Sequence, residues 1–431
     1  MILIKTVTIL GANGAMGSHC AGIIAGFGNA KIFMIARSLE KAQEGIDIAV
    51  DSIKSDVIKD QLIPKTYDDL KECLSESDWV FELTSEDLEL KKQINHKISL
   101  LTKNNTIIST VSSGLSITEL SKCFTPTQQR HYFGTHFYNP PYKMILCELI
   151  AGPNSDPEIQ KELFDYLQTT LHRKVVIVND TPGFAGNRIG FQLLNETLQF
   201  AQKYQKEGGI ALMDKLLGGF TGRSLPPIAT IDLVGLDVHK AIVNNIYNLT
   251  NDYAHESYKM PEFVEYLISN NSLGDKCGQG FYKKEGDQRL VFNINKKIYE
   301  PIPKFNIEFI DQVKEKISNG EYNKAFELLL KTKTFESEII KYFFARYISY
   351  SLSLIRPVVK NKEDLDRVMA YGFNWLPPCA LIDLIGGKKE AIKLIKQYKL
   401  SVPEEIAQHS EKTKFYTLQN ELDFRNYIKA N

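Results

Sequence analysis

Four short, densely apolar runs near the start of the chain, Lys5–Leu10, Lys31–Ile35, Asp78–Leu83 and Asn105–Val111, are separated by stretches of helical length. Compact apolar runs with little polar alternation are what strands buried on both faces require. The stretches between them, Ala15–Phe27, Leu39–Lys59 and Glu86–Leu101, have the mixed polarity of helices lying on a sheet. Strand, helix, strand in repetition predicts a mostly parallel sheet with helices on both faces. Further strands are expected at His131–Phe137, Ile145–Ala151 and Lys174–Val178.

The pattern changes at Asn179-Asp-Thr-Pro-Gly183, where Asp180 or Thr181 can cap a helix with Pro182 in its first turn. From there to about residue 270 the chain reads as helical. Gly278-Gln-Gly-Phe-Tyr282 then leads into Leu290–Tyr299, which reads as a hairpin bridging to a third, helical region. A length of 431 residues suits two or three domains. The expected division is 1–179, an α/β nucleotide-binding domain; 180–284, a first all-α domain; and 285–431, a linker hairpin with a second, shorter helical unit. An internal repeat supports it: Pro226-Pro-Ile-Ala-Thr-Ile-Asp-Leu-Val-Gly235 and Pro377-Pro-Cys-Ala-Leu-Ile-Asp-Leu-Ile-Gly386 share more than hydrophobic patterning demands.

Fifty-two Lys and Arg balance fifty-two Asp and Glu, so no overall field draws the chain to nucleic acid or to an anionic membrane. No apolar stretch approaches the roughly 20 residues of a spanning helix. The opening Met1–Leu10 reads as a first strand and not as a signal peptide. Six scattered cysteines with no C-x-x-C pair predict neither a disulfide framework nor a metal site, and fit reduced thiols in a cytoplasmic setting.

Leu10-Gly-Ala-Asn-Gly-Ala-Met-Gly17 follows the first strand and opens a helix. Glycines at such a turn let the backbone approach a pyrophosphate, and the helix N-terminus offers free N–H groups and a favourable dipole. The spacing is G-x-x-G-x-x-G, not the standard G-x-G-x-x-G. The second strand ends Phe33-Met-Ile-Ala-Arg-Ser38, with Ala36 where an acid gripping the ribose 2′-hydroxyl is expected and Arg37 beside it. An arginine there tolerates or attracts a 2′-phosphate, which leaves NADP open beside NAD; the plainer alternatives are stacking on the adenine or exposure to solvent. His136 and Glu148 lie 12 residues apart at strand ends joined by a Pro-containing turn. Adjacent antiparallel strands, or a strand and its returning loop, bring such residues together. A carboxylate on one imidazole nitrogen then fixes the tautomer and supports the cation formed at the other.

Taken together, these segments resemble the L-3-hydroxyacyl-CoA dehydrogenase family over residues 1 to about 284. The resemblance rests on the Gly-rich turn ending Met16-Gly17, Glu82-Leu-Thr-Ser-Glu-Asp-Leu-x-x-Lys91, Ser112-Ser-Gly-Leu-Ser-Ile117 and His136-Phe-Tyr-Asn-Pro140 with Glu148. Asp180-Thr-Pro-Gly-Phe-x-x-Asn-Arg188, Asp232-x-Val-Gly-Leu-Asp237 and Gly278–Tyr282 complete the series. It implies a Rossmann-type N-terminal domain holding NAD, with NADP open, through Gly11, Gly14, Ala15, Met16, Gly17, Arg37, Glu86 and Lys91. It implies His136 and Glu148 as the catalytic pair, Ser113 bonded to the substrate oxygen, Asn187 placing the 3-oxygen, and Asn139 steadying the loop that bears His136. Val111 stands where the family has an Asn two residues before the matched Ser. His19, His96, His131, His172, His239, His255 and His409 are expected to be surface or packing residues.

The tandem helical units resemble those of multifunctional β-oxidation proteins, without the hydratase domain often fused there; a separate enoyl-CoA hydratase or thiolase is then a conceivable partner. Single-copy members pair their helical domains across a two-fold axis. This chain carries both units, so residues ~185–270 are expected to pack on ~340–400 as an intrachain pseudo-dimer, with further homo-oligomerisation open. The implied reaction interconverts a 3-hydroxyacyl-CoA and its 3-oxoacyl-CoA. Two alternatives stand beside it: a dehydrogenase of a free hydroxy acid on the same fold, and a degenerate acyl-CoA- or nucleotide-binding protein. Intact His136, Glu148, Ser113 and Asn187 weigh against the latter.

Overall fold

The computed structural model describes residues 3–408 and 414–430. The chain divides into two compact units, Met1–Phe184 and Ala185–Asn431.

The first unit runs β1 (Thr6–Leu10), α1 (Ala15–Gly28), β2 (Lys31–Ala36), α2 (Leu39–Ile53), β3 (Leu62–Thr66), α3 (Leu70–Glu76), β4 (Trp79–Glu82) and α4 (Leu88–Leu101). It continues with β5 (Ile107–Thr110), α5 (Ile117–Ser121), α6 (Pro126–Gln129), β6 (Tyr132–Phe137), β7 (Leu146–Ala151), α7 (Pro157–Asp165) and β8 (Lys174–Val178). One eight-stranded sheet has the order β3-β2-β1-β4-β5-β6-β7-β8. Every neighbouring pair is parallel except β6–β7. The central strands β4, β5 and β6 are buried along their whole length, which is why they read as unbroken apolar runs.

Two sequence expectations fail here. Strand β3 lay unseen inside Leu62-Ile-Pro-Lys-Thr66: a proline argues against a central strand, but β3 is the sheet edge, where the missing N–H costs nothing. The helix expected from Pro182 is absent. Gly183 and Phe184 take positive φ, 74° and 49°, which no helix permits, and α8 begins only at Gly186. Asp180 does cap a helix, but a distant one: its carboxylate accepts from the Ile117 and Thr118 N–H groups and the Ser116 hydroxyl at the start of α5.

The second unit contains α8 (Gly186–Lys203), α9 (Gly209–Leu216), α10 (Pro227–Val234), α11 (Leu236–Leu249) and α12 (Glu262–Ser269). The expected hairpin is the last two strands of a three-stranded sheet, β9 (Tyr282–Glu285), β10 (Gln288–Asn293) and β11 (Ile298–Pro301). Then come α13 (Glu308–Ser318), α14 (Tyr322–Lys331), α15 (Phe335–Ser353), α16 (Lys362–Phe373), α17 (Pro378–Leu384), α18 (Lys388–Gln397) and α19 (Glu404–Gln408).

The repeat is visible in the hydrogen bonds. Asp214 accepts from the Ile228 and Ala229 N–H groups at the start of α10, and Asp366 accepts from Cys379 N at the start of α17. Asp232 accepts from Phe281 and Tyr282 N, and Asp383 from Phe415 and Tyr416 N. Each Asp-Leu of the shared motif thus closes its own copy by holding a returning Phe-Tyr pair.

The two copies pack through α8 and α15, with partners running in opposite directions. Arg188 meets Tyr350, Glu196 meets Arg346, Phe200 stacks on Tyr342 and Tyr204 meets Phe335. Where the chain approaches the two Pro-Pro pairs, Arg223 and Trp375 form an antiparallel bridge, and Leu376 N donates to the Gly222 carbonyl. Gly190 is required by this packing: a Cβ there would lie 2.2 Å from the Phe373 ring.

Candidate active site

Strands β6 and β7 are antiparallel with His136 directly opposite Glu148. Side chains in that relation stand close enough to bond, and here imidazole Nδ1 lies 2.7 Å from Glu148 Oε2, with both residues buried. A carboxylate on Nδ1 keeps the ring proton there in the neutral form and leaves the Nε2 lone pair free to work. Ser113 Oγ lies 3.2 Å from Nε2 and donates to it. The Phe184 ring closes another side of the imidazole at 5.5 Å. The resulting group is a proton acceptor at Nε2, backed by a buried anion and next to a hydroxyl.

Ser113 is set in place by Glu86. That carboxylate accepts from the Ser112 hydroxyl at 2.6 Å and from the Ser113 and Gly114 N–H groups at 2.8 and 3.2 Å. Glu86, expected at the cofactor, therefore also fixes the turn carrying Ser113.

Lys91 departs from expectation. It is 1% exposed and spends its donors on both Glu82 oxygens and the Thr84 carbonyl. Its ammonium neutralises buried Glu82 at the end of β4 and lies 3.9 Å from Glu86 Oε2, so it braces the strand end. Asn139 departs too, being exposed with no described hydrogen bond. The loop after His136 is held instead by Tyr138, whose hydroxyl donates to Glu148 Oε2 at 2.8 Å, and by buried Arg173, which donates to the Pro141 carbonyl. Asn187 lies buried in the first turn of α8, in the second unit.

At the end of β1 the chain turns into α1 through Gly11, at φ +80°, where a Cβ would strike the Leu83 carbonyl oxygen at 2.6 Å. Gly17 is needed for a close approach, since its Cβ would meet the Gly11 oxygen at 2.3 Å. Gly14 has room for a Cβ, but Gly14 and Ala15 are exposed and Met16 is half-buried. No side chain caps the α1 N-terminus and no acid sits in its first turn. An uncapped helix end at the C-terminal edge of a parallel sheet fits a dinucleotide pyrophosphate. Ala36 is buried at the end of β2 and Arg37 is exposed beside it, so a cation and not an acid stands at that strand end.

Of the remaining histidines, His239 is fully buried against Phe191 and Asn195, and burial pushes it down to about 3, so it stays neutral. His255 stacks on Tyr247, and His409 lies outside the described residues. All six cysteines are free; burial pushes the Cys147 thiol, next to Glu148, well above its usual range, so it carries no charge. Sequence reasoning missed Tyr138, Arg173 and Phe184. Tyr138 was within reach, because a residue two beyond His136 in extended chain shares its face.

Two family models and several known proteins match the chain. Residues 6–181 match the family described as 3-hydroxyacyl-CoA dehydrogenase, NAD binding domain, and residues 183–284 match the C-terminal domain of the same name. A probable 3-hydroxyacyl-CoA dehydrogenase of Deinococcus radiodurans is 32% identical over 301 residues, covering 66% of this chain and 84% of that protein. One from Bacillus subtilis is 30% identical over 344 residues, covering 77% of this chain; the chain spans only 42% of that relative's length. The crystal structure of 3-hydroxybutyryl-CoA dehydrogenase from Escherichia coli shares the fold with TM-score 0.71 at 20% identity, covering 94% of this chain and 98% of that one.

Proposed function

The chain belongs to the 3-hydroxyacyl-CoA dehydrogenase family, and from that premise we propose that it interconverts a (S)-3-hydroxyacyl-CoA and the 3-oxoacyl-CoA with NAD as hydride carrier. The observation that carries the reading is the buried Glu148–His136 pair with half-buried Ser113 beside it, which leaves Nε2 as the basic atom next to a hydroxyl. In the oxidative direction neutral His136 takes the proton of the 3-hydroxyl at Nε2, and Glu148 supports the imidazolium so formed. Bound at the α1 N-terminus, the nicotinamide cofactor supplies the hydride acceptor. General-base catalysis of this kind supplies roughly 10²–10⁴-fold. Ser113 orients the substrate oxygen against Nε2, held by Glu86. In reduction the imidazolium returns its proton to the 3-oxygen. The assignment of Asn187 to that oxygen rests on its motif.

We divide the work of the chain accordingly: residues 1–179 hold the cofactor and the dyad, 180–284 carry Asn187, and 285–431 brace the first helical copy. A cytoplasmic setting suits the free cysteines, and among the described residues no helix is long and apolar enough to cross a membrane. A separate hydratase or thiolase acting on the same acyl-CoA series is the natural metabolic partner.

The test is NADH oxidation with acetoacetyl-CoA and acetoacetate in parallel. Turnover of the thioester at a kcat/KM at least tenfold above the free acid is expected; preference for the acid overturns the substrate reading. On the cofactor, exposed Arg37 beside Ala36 motivates a second expectation: the wild-type protein tolerates NADPH, and Ala36→Asp shifts the kcat/KM ratio toward NADH by repelling the 2′-phosphate. If the wild type rejects NADPH and the substitution changes nothing, Arg37 has no part in selectivity.

A further inference from the structure

Glu148 Oε2 accepts two hydrogen bonds at once. One comes from His136 Nδ1 at 2.7 Å, the other from the Tyr138 hydroxyl at 2.8 Å. Tyr138 is buried, and its ring lies 4.7 Å from the imidazole ring. His136, in β6, stands directly opposite Glu148 in β7, and Tyr138, just past the end of β6, reaches the same carboxylate oxygen.

We propose that Tyr138 is a positioning residue of the dyad, its hydroxyl pinning the Glu148 carboxylate so that Oε2 stays in line with imidazole Nδ1 through the catalytic cycle. A carboxylate on a strand can turn about its last side-chain bond, and the Tyr138 hydroxyl restrains that turn at the same oxygen that meets the imidazole. When His136 becomes an imidazolium, the charged pair strengthens, and any slack in the carboxylate is paid in lost orientation at Nε2. A phenol on the same oxygen removes that slack from the far side. Donation from Tyr138 also spreads the negative charge of Glu148, which keeps the Nδ1 proton on the imidazole and not on the carboxylate. Tyr138 acts through Glu148, so its effect is on turnover and not on binding. The role deepens the dehydrogenase reading and rests on it for its catalytic consequence, though the clamp itself is a property of the folded protein.

The test is a double-mutant cycle on the full chain. Tyr138→Phe keeps the ring and deletes only the hydroxyl. It is expected to lower kcat for acetoacetyl-CoA reduction roughly tenfold, the lower end of what a hydrogen bond to a charged group supplies. KM for acetoacetyl-CoA and for NADH should stay within about twofold. In a Glu148→Gln background the same replacement should cost nothing further, because the group it acts through is gone. A spectroscopic arm needs no substrate: with ¹⁵N-labelled histidine, the His136 Nδ1–H resonance should move downfield in Tyr138→Phe, since Glu148 Oε2 then loses a donor that competes with the imidazole. An unchanged kcat with an unmoved resonance overturns the proposal, and so does an equal tenfold loss in both backgrounds. If the wild-type protein turns over no acyl-CoA, the functional reading fails and the resonance alone decides the clamp.

Discussion

His136→Gln is expected to leave a folded protein that binds NADH normally but has a kcat at least ~10² lower, the lower limit for a lost general base. Glutamine preserves the approximate reach toward Glu148 while removing the atom that takes and returns the proton. Buried Glu148 would then face an amide, which can donate to Oε2 but cannot become a cation beside it. The variant therefore separates chemistry from binding. Fluorescence titration with NADH should give an unchanged Kd, because the Gly11–Gly17 turn lies on a different strand-to-helix junction from the dyad. Turnover within a few-fold of wild type would remove His136 from the mechanism and leave its pairing with Glu148 with a purely structural meaning.

Deleting residues from about 300 onward should be the most damaging change to the fold. Helix α8 is buried along nearly all of its 18 residues, and α15 and α16 cover much of that surface. Removal would uncover Phe200 and Phe191 and strand Glu196, which is 4% exposed and receives Arg346 and Tyr342 from the second copy. Arg188 would also lose Tyr350, its link across the copies. Insoluble protein, or an artificial dimer that substitutes a second chain for the missing copy, is the expected result by size-exclusion chromatography. A truncated chain that stays monomeric, soluble and fully active would show that the second copy is no structural partner.

The sequence was most informative where one physical constraint dominated. Strands buried on both faces announce themselves as apolar runs, so a mostly parallel sheet could be anticipated, though not its strand order, and an antiparallel pair carrying His136 and Glu148 was one of two arrangements their spacing allowed. The repeat was legible because each copy needs the same aspartates to cap a Pro-Pro helix and to hold a returning Phe-Tyr pair. Strand β3 was missed because an edge strand tolerates the proline that a central one does not. The break before α8 was missed because a Thr-Pro-Gly segment that looks like a helix start instead uses two positive-φ residues to turn the chain. Within the site, Asn139 and Lys91 were assigned by motif alone. The structure shows Tyr138 and Arg173 holding the loop that bears His136, and Lys91 turned inward to Glu82. Long-range side-chain pairing of this kind depends on register and rotamer, which no local pattern encodes.

The central claim is tested most directly by a single-turnover experiment with the full wild-type chain in excess over NADH, started by acetoacetyl-CoA. The account predicts rapid loss of NADH absorbance with one 3-hydroxybutyryl-CoA formed for each NADH consumed, and the same reaction slowed at least ~10² in His136→Gln. NADH that binds but is never oxidised by any acyl-CoA, in protein shown to be folded, would contradict it.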